Sequence, residues 1–309
     1  MSEFVRYTSP DEDSGRWQGF PFRDGDIVIS TRSKAGTTWV QMICALLIFQ
    51  QPELPAPVGW YSPWLDRLTR PAEDVVARLE AQRHRRFIKT HTPLDGIPID
   101  PRATYIVVGR HPLDSAVSLY YQGENINRER QRQLTEEATG QPVPAQPTGP
   151  RKPVREWLLD WIDNEASPHE QMDSIRGVFW HDSDAWGRRS EPNIVLLHYA
   201  DLSADLEGQM RQLARRLDIA VPDLAWPELV EAATFASMRA SAERITGRST
   251  ILKSTAAFFR RGTSGAGREL LTGAELAHYH ARAARLGPAD MLAWLHRPGD
   301  AVIQEEPRG

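Results

Sequence analysis

The chain carries one cysteine, Cys44, in 309 residues, so no intrachain disulfide can form. Cys44 sits in the apolar run 42–49, where a thiol packs as a small core side chain. That run is too short to cross a bilayer. The start, Met1-Ser2-Glu3-Phe4 followed by Asp11, Glu12 and Asp13, lacks both the basic opening and the apolar stretch of a signal peptide. Basic charge is not in excess: 37 Lys and Arg stand against 41 Asp and Glu, a net −4. This excludes a general binder of nucleic acid or anionic membrane and confines any phosphate affinity to a local site. No internal repeat is present. These absences predict a soluble protein of a reducing, cytoplasmic compartment with no nucleic-acid partner and no transmembrane segment. The remaining composition, 40% hydrophobic and 25% charged, is that of a globular chain able to bury a sizeable core.

Short apolar runs at 26–30, 86–90, 104–109 and 193–198 read as buried strands. Helical sequence separates them. Residues 40–50 are apolar nearly all round, Pro71-Ala72-Glu73-Asp74 opens a helix, and Leu206, Met210, Leu213 and Leu217 recur at helical spacing. The alternation predicts a single α/β domain over 1–309, with a mainly parallel, P-loop-like sheet covered by helices on both faces. Ligands of such sheets collect beyond the carboxyl ends of the strands.

Between 123 and 153 the pattern fails. Arg128 to Arg132 is strongly charged, and Pro142, Pro144, Pro147, Pro150 and Pro153 follow, which reads as a flexible insert forming a lid or surface loop. Helix-like sequence resumes at Trp157, Leu158 and Trp161, so the insert marks no domain boundary. Thr272-Gly273-Ala274-Glu275 has the form of a capping box before a helix reaching about Arg285.

Four segments carry chemistry. The first, Ile27 to Trp39, runs from a strand through Ser33-Lys34-Ala35-Gly36-Thr37-Thr38 into a helix. Unpartnered N–H groups and the dipole at that helix start suit an anion. Gly36 allows close backbone approach, Lys34 adds charge, Thr37 and Thr38 can donate hydroxyls, and Trp39 offers a flat face. In the second, Lys89 and His91 are two residues apart on an extended segment and face one side, with the imidazole suited to act as a general base. The third places Arg110 at a strand end and Ser118 two turns into the next helix; Arg110 either serves the same anion or pairs with Asp114 to fasten its loop. The fourth, Phe258-Phe259-Arg260-Arg261-Gly262, joins aromatics to guanidinium groups. The first loop has Lys34 before Gly36 and not the Gly-Lys-Ser/Thr order of a Walker motif, which disfavours metal-assisted triphosphate chemistry.

In order, Lys34-Ala35-Gly36-Thr37-Thr38-Trp39, Lys89-Thr90-His91, Arg110 with Ser118, Tyr199-Ala200-Asp201-Leu202 and Phe259-Arg260-Arg261-Gly262 resemble the signature of cytosolic-type sulfotransferases over about residues 20–270. Arg85 to Gly96 and Ser62-Pro63-Trp64-Leu65-Asp66 further resemble actinobacterial glycolipid sulfotransferases. The resemblance implies the donor 3′-phosphoadenosine 5′-phosphosulfate (PAPS), the product adenosine 3′,5′-bisphosphate (PAP), transfer to a hydroxyl of a small-molecule or glycolipid acceptor, and no metal. It implies that Lys34, Gly36, Thr37 and Thr38 hold the 5′-phosphosulfate, and that Trp39 and Phe235 flank the adenine near Tyr199. Arg110, Ser118, Arg260, Arg261 and Gly262 would hold the 3′-phosphate, His91 would be the base, and Lys34 and Lys89 would neutralise the breaking bond. Two other readings stand beside it: a nucleotide-binding module without catalysis, and a P-loop kinase-like phosphotransferase. Peripheral membrane contact and a homodimer stay open.

The chain also departs from the family pattern. Ala35 replaces a frequent serine, Arg32-Ser33 an aromatic-proline pair, and His111 an asparagine or aspartate; Ala266-Gly267-Arg268 lacks the tryptophan common there. Trp60, Tyr61, Trp64, Tyr120, Tyr121, Phe179 and Trp180 are the candidate walls of an acceptor pocket.

Overall fold

Four strands, β1 (Ile27–Ser30), β2 (Phe87–Thr90), β3 (Thr104–Gly109) and β4 (Ile194–His198), form one sheet in the order β2-β1-β3-β4 in a computed structural model that describes residues 4–145, 149–247 and 250–297. Every pairing is parallel. Ile27 lies opposite Phe87 on one side and Thr104 on the other, and Tyr105 lies opposite Ile194. Three strands begin one residue later than the apolar runs suggest. Asp26 and Arg86 are held outside the ladder by an ion pair whose side chains are each 1% exposed. Asn193 is likewise tied back, donating to the carbonyls of Asp100 and Ala103.

Strand side chains alternate between two cores, as the period of a strand requires. Ile27, Ile29, Ile106, Val108, Val195 and Leu197 pack with Val40, Ile43 and Leu47 of α1 (Thr37–Phe49) and with Met210, Leu213 and Leu229. Val28, Ile88, Tyr105 and Val107 pack on the opposite face with Trp17, Leu79 and Ala185. Helices therefore cover both faces. With β1 central and its neighbours parallel to it, the loops after β1, β2 and β3 leave the sheet at the same edge, where ligands of such sheets bind.

Part of the segment between 123 and 153 is helical. Residues Arg128–Thr139 form a helix, capped by the Asn127 side chain accepting from Arg130 N and ended by Gly140 at φ 67°. Ion pairs of Arg132 with Glu129 at 2.8 Å and Glu136 at 2.6 Å stabilise it one turn apart. A helix built on such pairs, with little apolar surface, gives no hydrophobic periodicity to read. Pro147 lies outside the described residues. The capping box at Thr272 forms with Glu275, and its helix ends at Ala283. Among the described residues no helix is long and apolar enough to cross a membrane.

Candidate active site

The loop after β1 is wound tightly enough to place Lys34 at φ 68° and Gly36 at φ 115°. A Cβ at Gly36 would stand 3.2 Å from the Tyr199 ring, in a conformation that side-chain-bearing residues rarely adopt. Gly36 caps α1 with no side-chain hydrogen bond, so the first N–H groups of the helix face that edge. The Thr37 hydroxyl pairs with that of Thr31 at 2.5 Å. Trp39 is fixed by its indole N–H on Ala233 O at 2.8 Å and meets Tyr199 edge-on, with centroids 5.1 Å apart.

Arg110 leaves β3 and joins two of the loops. It donates to Lys34 O at 2.9 Å and to Thr263 O at 3.4 Å, and its guanidinium lies 4.1 Å over the Tyr199 ring. Asp114 does not pair with it; the carboxylate instead accepts Gly265 N at 2.8 Å and Gly267 N at 2.9 Å. That clamp closes the segment where the family tryptophan is missing, with Ala266 buried beneath. Arg110 Nε is buried without a hydrogen-bond partner among the described residues. Ser118 lies one helical turn from Asp114 and one from Gln122 on the Pro112–Asn125 helix, and so shares their face. His111 performs the capping role of the residue it replaces, its ring nitrogen accepting from Leu113 N, and burial holds it neutral with a pKa of about 3.

Arg260 sits 4.3 Å over the Tyr121 ring. Gly262, at φ 70°, presses against Phe235, where a Cβ would lie 2.4 Å from the ring. Phe235 and Phe259 meet edge-on at 6.2 Å. Arg261 turns aside toward Glu269 at 3.3 Å. Among the described residues, neither Lys34, Lys89, Arg110 nor Arg260 has a carboxylate at ion-pair distance; the acids nearest them, Glu12 and Asp66 by Lys89 and Asp114 by Arg260, stand farther off. A cluster of cations free of direct ion pairs, beside a helix start with no side-chain cap, fits a bound anion with more than one charged group.

Lys34 Nζ is held by Gln122 Oε1 at 3.3 Å and lies 4.3 Å over the Phe258 ring. Lys89 Nζ lies 3.9 Å over Trp64, and the His91 ring meets Trp64 edge-on at 4.5 Å. Burial, reinforced by Arg110, Lys89 and Arg260, brings Lys34 down to about 7. Lys89 falls to about 8 through burial and the nearby Arg67. His91 lies well below the usual imidazole range, because burial and then Lys89 and Arg32 disfavour its cation. Its Nδ1–H donates to Thr31 O at 2.5 Å, which leaves Nε2 with the lone pair. A neutral imidazole with a fixed tautomer is ready to take a proton near neutral pH.

Of the aromatic side chains expected to wall an acceptor pocket, Trp64 and Tyr121 touch site residues. Phe179 is 1% exposed in the core, Tyr120 packs on Trp157, Tyr61 on Phe49, and Trp60 is exposed under Arg78; Trp180 is exposed and donates to Tyr7. Tryptophan and tyrosine near a motif carry no mark of which core they join. Sequence reasoning gave no role to Thr31 and Arg32, which contact His91, or to Gln122, which holds Lys34. The hydroxyl and polar ones carry no local signal, and Arg32 stood out only as a departure from the family pattern.

A domain model described as the sulfotransferase domain matches residues 24–284. The chain is 43% identical to the glycolipid sulfotransferase of Mycobacterium tuberculosis over 96% of its own length and 95% of the relative's. Among solved structures, a mouse sulfotransferase complexed with PAP superposes with a TM-score of 0.64 at 17% identity, covering 91% of this chain and 90% of the other. Retinol dehydratase in complex with retinol and PAP gives 0.64 at 18% identity, covering 88% and 84%. The last two show the shared fold. With the domain match spanning most of the chain and this level of identity to a full-length relative, the chain belongs to the sulfotransferase family.

Proposed function

We propose that this chain moves the sulfuryl group of PAPS to a hydroxyl of a glycolipid, with His91 as the general base. The observation that carries the reading is the union of two features around one loop cluster: cations with no carboxylate at ion-pair distance among the described residues, and a neutral His91 whose ring N–H is held by Thr31, leaving the lone pair on Nε2. When bound, PAPS supplies the transferable sulfuryl group and a phosphate leaving group. Gly36, Thr37 and Thr38 hold the 5′ end, while Arg110, Ser118, Arg260, Arg261 and Gly262 grip the 3′-phosphate. Arg261 reaches it by leaving Glu269, a half-exposed partner that costs little to give up. Trp39 and Phe235 line the base, with Tyr199 behind. His91 Nε2 takes the acceptor proton as its oxygen attacks, and Lys34 and Lys89 stabilise the charge that develops as the bridging bond breaks. No residue in this scheme requires a metal. The buried, unpaired Cys44 is in keeping with a cytoplasmic enzyme.

The Asp114 clamp carries a prediction of its own. Asp114→Ala strips two backbone N–H groups of their acceptor and frees the segment bearing Arg260 to Gly262. PAP affinity by titration calorimetry is expected to fall about tenfold, the scale of one or two lost charge-assisted hydrogen bonds; unchanged affinity would detach this clamp from the site.

The acceptor class rests on the 43% identity to the mycobacterial glycolipid enzyme. Labelled PAPS offered with actinobacterial glycolipids and, separately, with simple phenols tests it. Label is expected in the lipid fraction. Transfer confined to phenols would overturn the glycolipid assignment.

A further inference from the structure

We propose that Arg32, anchored by Asp173, is a positioning residue that holds His91 in its reactive pose. This rests on reading His91 as the base. Arg32 follows β1 and is only 4% exposed. One arm of its guanidinium donates to the His91 carbonyl, and the other donates to Asp173 Oδ1 at 2.5 Å. The residue before it, Thr31, accepts the His91 ring N–H. Two consecutive residues of the donor loop therefore fix both the backbone and the imidazole of His91. Because Thr31 also pairs with Thr37 at the start of α1, the base is built onto the same frame as the phosphate-binding turn.

The rigid fork of arginine suits this task. Its separate N–H groups span a carbonyl and a carboxylate at fixed angles, which a lysine cannot reproduce. Asp173 stands at the other end of the fork, on the segment leading into the Ile175–Gly187 helix, and its side chain is 45% exposed. The carboxylate is thus open to solvent, while the arginine is not. Arg32 also acts electrostatically. The cations around His91 are Lys89 from β2, Arg32 from the loop after β1, and Arg67 from beside Trp64; the acids facing this group are Asp173, paired with Arg32, together with Glu12 and the buried Asp66 and Asp182, which lie near Arg32, Arg67 or Lys89. Loss of the guanidinium removes a cation that disfavours imidazolium, so His91 must hold a proton to higher pH.

The test compares Arg32→Met, Arg32→Lys and Asp173→Asn with the unaltered enzyme by kcat against pH, PAP affinity, and NMR titration of the His91 ring in the donor-free protein. Arg32→Met is expected to lower kcat about ten- to a hundredfold, the cost of a small misplacement of a reacting group. PAP affinity should stay within about twofold, and the His91 titration and the acid limb of kcat should both move to higher pH. Arg32→Lys should restore the titration but only part of kcat. Asp173→Asn, at the exposed end, should move the His91 titration to lower pH with a loss in kcat of about tenfold or less. An unmoved titration and kcat in Arg32→Met would overturn the proposal, as would a fall in PAP affinity matching the fall in kcat. Should Arg32→Met not fold, Asp173→Asn decides alone: no change in either quantity overturns it. The NMR reading is independent of the base assignment, which fails separately if His91→Ala keeps its turnover.

Discussion

His91→Ala is expected to lower sulfuryl turnover about 10²- to 10⁴-fold, the range by which a positioned general base contributes. The attacking hydroxyl is a poor nucleophile until its proton leaves, and Nε2 of His91 is the lone pair that the hydrogen bond to Thr31 keeps available. Nothing in the phosphate grip depends on that nitrogen. Lys34, Arg110 and Arg260 reach the site from the loops after β1 and β3 and from the segment at 260, whereas His91 follows β2. His91→Asn is the sharper variant, because its amide can still donate to Thr31 O yet offers no base. Initial rates with labelled donor measure the effect. The depressed imidazole also sets a sign: His91 remains neutral at neutral pH, and activity declines on the acid side only when pH falls through its lowered pKa.

Lys34→Met is expected to cost about 10²- to 10³-fold in kcat/KM, the scale of removing one preorganised donor from a developing negative charge. Its pKa of about 7 in the donor-free protein adds a second signature. At pH 8 most of the ammonium has lost its proton, and the incoming 5′-phosphate pulls the pKa back up. PAP binding must then take up protons, and affinity must weaken as pH rises from about 7 until it passes the pKa of the bound form. Calorimetry in buffers of different ionisation enthalpy measures that uptake. It should shrink in Lys34→Met, and equal uptake in both proteins would remove Lys34 from the anion site.

Much of this site is visible in sequence because each of its loops is local. A strand end, a glycine at positive φ and a helix start lie within Ile27 to Thr38, and the lysine-histidine pair needs only extended geometry to share a face. The sheet is equally legible, since strands buried on both faces appear as short apolar runs. What stays hidden is the choice of distant partners. Arg32 finds Asp173 across 141 positions, Lys34 finds Gln122 across 88, and Asp114 finds Gly265 across 151. Asp114 shows the consequence: local spacing allowed a pair with Arg110, but two backbone N–H groups bind the carboxylate and leave the guanidinium to the site. The Arg128–Thr139 helix was hidden for a different reason, as its support comes from charge pairs that composition alone presents as a solvated loop.

The central claim is that gripping the donor and removing the acceptor proton are separate tasks of separate residues. PAP titration calorimetry on His91→Ala, run beside turnover on the same preparation, tests it most directly. The account predicts unaltered PAP affinity with turnover all but lost; near-normal turnover, or an affinity that falls together with turnover, would contradict it.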